Sequence, residues 1–131
     1  MPGCYIQGIG KIIIGDYTQI APNVGIISAN HDPLDNRRHS PETVTIGAYC
    51  WIGMGAIILP GVVLGDFTIV GANSVVTKCF PTGHCVIAGN PAKIVRDLDP
   101  ALCIRHRSDY EYHGFIRHDK FPEFRDHNLN T

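Results

Sequence analysis

The chain has 131 residues, of which 44% are hydrophobic and 18% charged, and a formal net charge of −1. That length suits one modest core with an extension, and small domains bury proportionately less surface and often oligomerise. The near-neutral balance gives no electrostatic case for binding nucleic acid or an acidic membrane. With no apolar run long enough for a spanning helix and no charged-then-apolar leader, the expectation is a cytoplasmic protein without a membrane span.

In chain order, an aliphatic residue returns every sixth position: Ile14, Ile20 and Ile26, then Ile46, Ile52, Ile58, Leu64, Val70 and Val76. Six is a poor helical period, because each step turns about 240° and scatters the aliphatics over three directions. It is compatible with strand alternation. The positions two before each aliphatic are small or apolar as well: Ile12, Thr18, Val24, Val44, Cys50, Ala56, Val62, Thr68 and Ser74. Each short strand is therefore predicted to turn two residues inward. Corners are predicted at Asp16-Tyr17, Pro22-Asn23, Ala48-Tyr49, Met54-Gly55, Pro60-Gly61, Asp66-Phe67 and Ala72-Asn73. Pro60-Gly61 suits a type II turn, since proline presets the first torsion and glycine accepts positive φ at the second. Three such faces would close a triangular coil of about eighteen residues, each coil burying its apolar row only by stacking on neighbours.

The rhythm breaks once. Ile26 and Ile46 are twenty apart, two more than a whole coil of about eighteen, so the polar segment between them is expected to bulge out. Residues 29–42 carry His31, Asp32, Asp35, Arg37, Arg38, His39 and Glu42. Loops projecting from rigid scaffolds commonly carry function, and imidazole titrates near neutral pH, where it can take a proton. Asp32 and Asp35 either orient an imidazole or shape the turn with Pro33, and turn shaping is the favoured reading.

Five cysteines, Cys4, Cys50, Cys79, Cys85 and Cys103, form no CxxC pair, and reduced thiols are expected. After Arg96 the repeat is lost, and residues 97–131 hold twelve of the twenty-three Asp, Glu, Lys and Arg residues. This segment is predicted to be a tail with a short helix near Pro100 to His106. Tyr110, Tyr112, Phe115, Phe121 and Phe124 are its candidate anchors against a coil or a neighbouring subunit. His106, His113, His118 and His127 match no compact zinc spacing, so no metal is expected.

Together the repeats, the loop Asn30-His31-Asp32-Pro33-Leu34-Asp35, and Val44-Thr45-Ile46-Gly47 leading to Trp51-Ile52-Gly53 resemble the hexapeptide-repeat acyltransferases. The pair Thr77-Lys78 and the ending Ala88-Gly89-Asn90-Pro91-Ala92-Lys93-Ile94-Val95-Arg96 carry the resemblance to residue 96. It is strongest toward maltose, galactoside and polysaccharide O-acetyltransferases, with xenobiotic acetyltransferases nearby. The resemblance implies an all-β, left-handed parallel β-helix over residues 1–96 with a protruding loop 29–42, a C-terminal extension 97–131, and a homotrimer. It further implies transfer of acetyl from acetyl-CoA to an acceptor hydroxyl, with His31 as general base and His39 as the fallback. Met54, Ala72, Thr77, Lys78, Lys93 and Arg96 match cofactor positions, Asn30 and Trp51 acceptor positions. One departure is that the chain enters the repeat almost at once, with Gly8-Ile9-Gly10-Lys11 where an acceptor-binding acidic residue would be sought. A saccharide hydroxyl is the leading acceptor. The rival readings are a γ-class carbonic anhydrase-like zinc protein, using His31, His39 and His84, and a noncatalytic scaffold or binder.

Overall fold

A computed structural model describes residues 1–108 and 111–128. The first coil comprises β1 (Tyr5–Gln7), β2 (Ile12–Ile14) and β3 (Gln19–Ile20). The second begins with β4 (Gly25–Ile27), leaves the prism as a hairpin of β5 (Ala29–His31) and β6 (His39–Pro41), and returns as β7 (Val44–Ile46) and β8 (Trp51–Ile52). The third comprises β9 (Ile57–Ile58), β10 (Val63–Leu64) and β11 (Thr68–Val70). After β12 (Val75–Val76), an antiparallel pair, β13 (Cys85–Gly89) and β14 (Ala92–Asp97), ends the stack.

Pairing joins these strands into three faces, ordered β1-β4-β9-β12, β2-β7-β10 and β3-β8-β11-β13-β14, parallel throughout except at β13-β14. Between the second and third coils, Ile46 pairs with Leu64 and Ile52 with Val70, eighteen residues apart. Across the insertion, Ile26 pairs with Ile58 and Ile14 with Ile46, thirty-two apart. This corrects the expected arithmetic. The break is one step between faces lengthened by a hairpin, not a whole coil with two residues added. The expected outward bulge is present.

The inward rows make the core. Val24, Ile26, Val44, Ile46, Cys50, Ile52, Ala56, Ile58, Val62, Leu64, Val70 and Val76 are all buried. Thr68 and Ser74 are buried on the same rows, where Thr68 Oγ1 donates to the Gly65 carbonyl at 2.7 Å. The first coil departs from this pattern because no described coil lies beneath it: Ile14 is 38% exposed and Ile6 52%. At the other end Cys85, Ile87 and Ala92 extend the core beyond the sixfold series. Cys85 and Ile87 stack parallel on Thr68 and Val70 but seventeen residues on, not eighteen, and Ala92 lies on the antiparallel β14, so the repeat could not announce them.

In every predicted corner the second residue has positive φ: Tyr17, Asn23, Tyr49, Gly55, Gly61, Phe67 and Asn73. One edge of the prism, between the second and third faces, stacks aromatic rings on this turn. Tyr17 lies on Tyr49 at 5.2 Å, Tyr49 on Phe67 at 5.0 Å, and Phe67 on His84 at 5.3 Å.

The segment after β14 runs back along this aromatic ladder. Tyr49 Oη donates to the His106 carbonyl at 2.8 Å, and Ser108 N–H donates to Tyr17 Oη at 3.1 Å. Arg105 pairs with Asp66 at 3.0 Å and lies over the Tyr49 and Phe67 rings. These contacts hold the segment extended, so the predicted helix is confined to a 3-10 turn at Pro100–Leu102. The contacts on the ladder come from Arg105, His106 and Ser108: the coil supplies stacked rings, and the tail supplies backbone, a guanidinium and an imidazole set edge-on to Tyr17 and Tyr49. Tyr110 and the Tyr112 side chain lie outside the described residues. Phe115 is 88% exposed, and Phe124 packs within the tail, beside Ile116, where β15 (Tyr112–His113), β16 (Ile116–Arg117) and α1 (Phe121–Asn128) form a small unit.

Candidate active site

His31 ends β5 and pairs in register with His39 of β6. The two rings pack at 4.6 Å between centroids, tilted by 48°. His31 Nδ1 lies 2.7 Å from the Asn36 carbonyl oxygen. A carbonyl only accepts, so Nδ1 carries the proton in this bond and Nε2 keeps its lone pair in the neutral ring. The imidazole is thus fixed in one tautomer, exposed, and set as a proton acceptor at Nε2. Sequence reasoning missed the Asn36 carbonyl, since a backbone acceptor has no residue signature.

Asp32 and Asp35 both serve the turn. Asp32 Oδ1 accepts the Leu34 N–H at 2.8 Å. Asp35 takes the Arg37 guanidinium in two bonds, at 2.8 and 2.9 Å, and this contact holds its carboxyl below the usual carboxylate range. Asn30 pairs with Ser40, and strand alternation directs it to the opposite side of the ribbon from His31.

The hairpin leaves the edge between the first and second faces. Higher on the same edge stand Pro60-Gly61 and then Thr77-Lys78, with Cys79 Sγ accepting the Val63 N–H at 3.3 Å. Lys78 and Lys93 line one open depression of about 340 Å³ together with Phe80, Pro91, Ala92 and Ile94. Two cations from segments fifteen residues apart therefore share one surface, suited to an anionic ligand with an apolar portion. Arg96 stands further along β14, opposite Val86.

Met54 and Ala72 occupy a different edge, between the third and first faces. The Met54 carbonyl accepts the Asn73 N–H at 2.8 Å, so this main-chain acceptor already has a partner in the corner stack. Trp51 projects from the third face, 55% exposed, beside a trough of about 260 Å³ lined by Tyr17, Tyr49, Phe67, Ile104 and His106. The third face lies across the prism from the edge that carries His31. One chain alone does not bring His31 and Trp51 together. His84 packs on Phe67 at the aromatic edge, away from the His31–His39 pair.

Residues 43–78 match the model of the bacterial transferase hexapeptide (six repeats) family. Over its repeats, this chain belongs to the hexapeptide-repeat transferases. Among relatives in that family, galactoside O-acetyltransferase of Escherichia coli is 38% identical over 80% of this chain and 53% of its own length. A maltose O-acetyltransferase structure from Clostridium difficile superposes with a TM-score of 0.68 at 39% identity, covering 73% of this chain and 53% of that one. A galactoside acetyltransferase solved in complex with coenzyme A gives 0.69 at 32% identity, covering 84% and 56%. The chain spans about half the length of the curated relatives it matches. The hexapeptide-repeat fold is the left-handed parallel β-helix.

Proposed function

We propose that this chain forms the catalytic prism of an O-acetyltransferase that moves acetyl from acetyl-CoA directly to an acceptor hydroxyl. The observation that carries the reading is the His31 hydrogen bond to the Asn36 carbonyl, which reserves Nε2 for the acceptor proton. Nε2 takes that proton as the hydroxyl oxygen bonds to the thioester carbonyl carbon. The tetrahedral oxyanion then collapses, the C–S bond breaks, and the imidazolium returns the proton to the CoA thiolate. No covalent enzyme intermediate is needed.

The shared Lys78–Lys93 surface supports binding of CoA phosphates there, with Thr77 beside it and Arg96 as a further cation. Met54 and Ala72 on one edge and His31 on another are consistent with a groove closed between copies, as in a homotrimer, with Trp51 facing the acceptor; Asn30, directed to the other side of the ribbon from His31, does not share that face. A relative acting on galactosides and a structural neighbour acting on maltose favour a saccharide acceptor. The test is a saccharide acceptor screen with labelled acetyl-CoA. Wild-type protein is expected to label a sugar hydroxyl. His31→Ala should lower kcat about 10²-fold or more while CoA affinity is kept. An unaffected kcat would remove His31 from the mechanism. Lys78→Ala and Lys93→Ala are each expected to weaken CoA about tenfold, read by calorimetric titration.

A further inference from the structure

The hairpin that carries His31 has two roots, Ser28-Ala29 on entry and Glu42 on exit; the entry root is bonded to the first coil and the exit root is bonded to the entry root. On the entry side, Gln7 Oε1 accepts the Ala29 N–H at 3.1 Å. Ser28 Oγ bonds to the carbonyls of Gln7 and Gly10 and accepts the Gly10 N–H at 2.9 Å. On the exit side, the Glu42 N–H donates to the Ser28 carbonyl at 2.7 Å. Gly10 lies under both roots: a Cβ added there would overlap the Ser28 carbonyl and sit 3.1 and 3.2 Å from Glu42 N and O. Ser28 is fully buried and Ala29 is 4% exposed, so these groups have no water to fall back on.

Gln7 pairs in register with Ile27 in the first face, one residue after the inward Ile6, and its side chain reaches the Ala29 N–H at the base of the hairpin. In the first coil Ile12 and Ile20 pack partly buried against the core, while Ile6 and Ile14 are substantially exposed. The corner between Gln7 and Gly10 touches the hairpin that bears His31.

We propose that Gln7, backed by Ser28 and Gly10, is the positioning residue for His31. The Gln7 side chain fixes Ala29, and two residues of strand carry that fix to the imidazole. Displacing a catalytic group by about 1 Å is enough to cost most of its effect. This inference rests on His31 being the base.

Gln7→Leu removes the acceptor while keeping bulk, and Gln7→Glu keeps an oxygen at the same place. In the full chain, Gln7→Leu is expected to speed amide hydrogen exchange across residues 29–41 about tenfold or more, with strands β7 to β11 unchanged. Nitrogen NMR of the His31 ring should then show both tautomers where wild type shows Nδ1–H alone. Gln7→Glu should restore both signals, and kcat should follow them with KM for acetyl-CoA unchanged. Wild-type exchange and tautomer ratio in Gln7→Leu would overturn the proposal, as would a Gln7→Glu variant no better than Leu. Loosened exchange with an unchanged kcat would overturn it too. Full activity in His31→Ala would instead overturn the base assignment beneath it, leaving the exchange result to stand as structure.

Discussion

Tyr17, Tyr49 and Phe67 hold left-handed backbone conformations that cost an L-residue about 1–2 kcal/mol each. Glycine would avoid that cost, but it would lose the ring stack, where each aromatic pair contributes about 0.5–1.5 kcal/mol. Asp66 ties this edge together by accepting the Ala48 N–H at 2.8 Å and the Arg105 guanidinium at 3.0 Å. The Ala48 bond first and the Arg105 contact second hold its carboxyl below the ordinary 3.8. A depressed folded value means that the stability is present above 3.8 and is lost as pH falls through the lowered value. Asp66→Asn is therefore expected to lower Tm at neutral pH, with the gap to wild type closing in acid below 3.8; a pH series of thermal melts reads it. The effect is modest, because the Asp66 side chain is 38% exposed and its ion pair is screened. Ile58 is a stronger case. It is fully buried between Ile26 and Val76, and Ile58→Ala should cost about 2–5 kcal/mol in denaturant unfolding.

At the scale of elements, strands and corners were legible because both write themselves in single residues. Ile46, Ile52, Ile58 and Leu64 mark inward positions by size, and Asn23, Gly61 and Asn73 mark corners by tolerance of positive φ. The hairpin was legible as a break in the sixfold series. What escaped depends on backbone partners: the Asn36 carbonyl, the main-chain groups that the Gln7 and Ser28 side chains bond at the root, and the run of residues 103–108 along the ladder. That last segment shows no apolar period, and its hold depends on Tyr17 and Tyr49 hydroxyls about sixty to ninety residues away. Arg105→Ala removes both its ion pair and its position over two rings. Limited proteolysis of this variant should cut residues 99–108 several-fold faster than wild type while the prism stays intact. Equal cleavage rates would mean that the tyrosine bonds and the His106 ring hold the segment without Arg105.

At the scale of the whole molecule, the prism separates what the proposed chemistry needs together. His31 leaves one edge, while Trp51 stands on the face across from it, and Met54 with Ala72 on another edge. A rigid stack with buried inward rows cannot fold these onto one surface, so a site using both His31 and Trp51 requires a second copy. Closed rings place the same edge of each copy against the same face of the next. This arrangement predicts complementation. His31→Ala and Trp51→Ala proteins should each be impaired, and in each one every site carries one defect. Co-refolded in equal amounts, they assemble some sites from the intact His31 of one copy and the intact Trp51 of another. Random assortment makes these about one quarter of all sites, so activity should recover to about a quarter of wild type. Recovery would fail if each site were built within one chain, because no mixture of the two defects could then contain an intact site. Mixing without refolding controls for exchange between preformed assemblies, and should recover less.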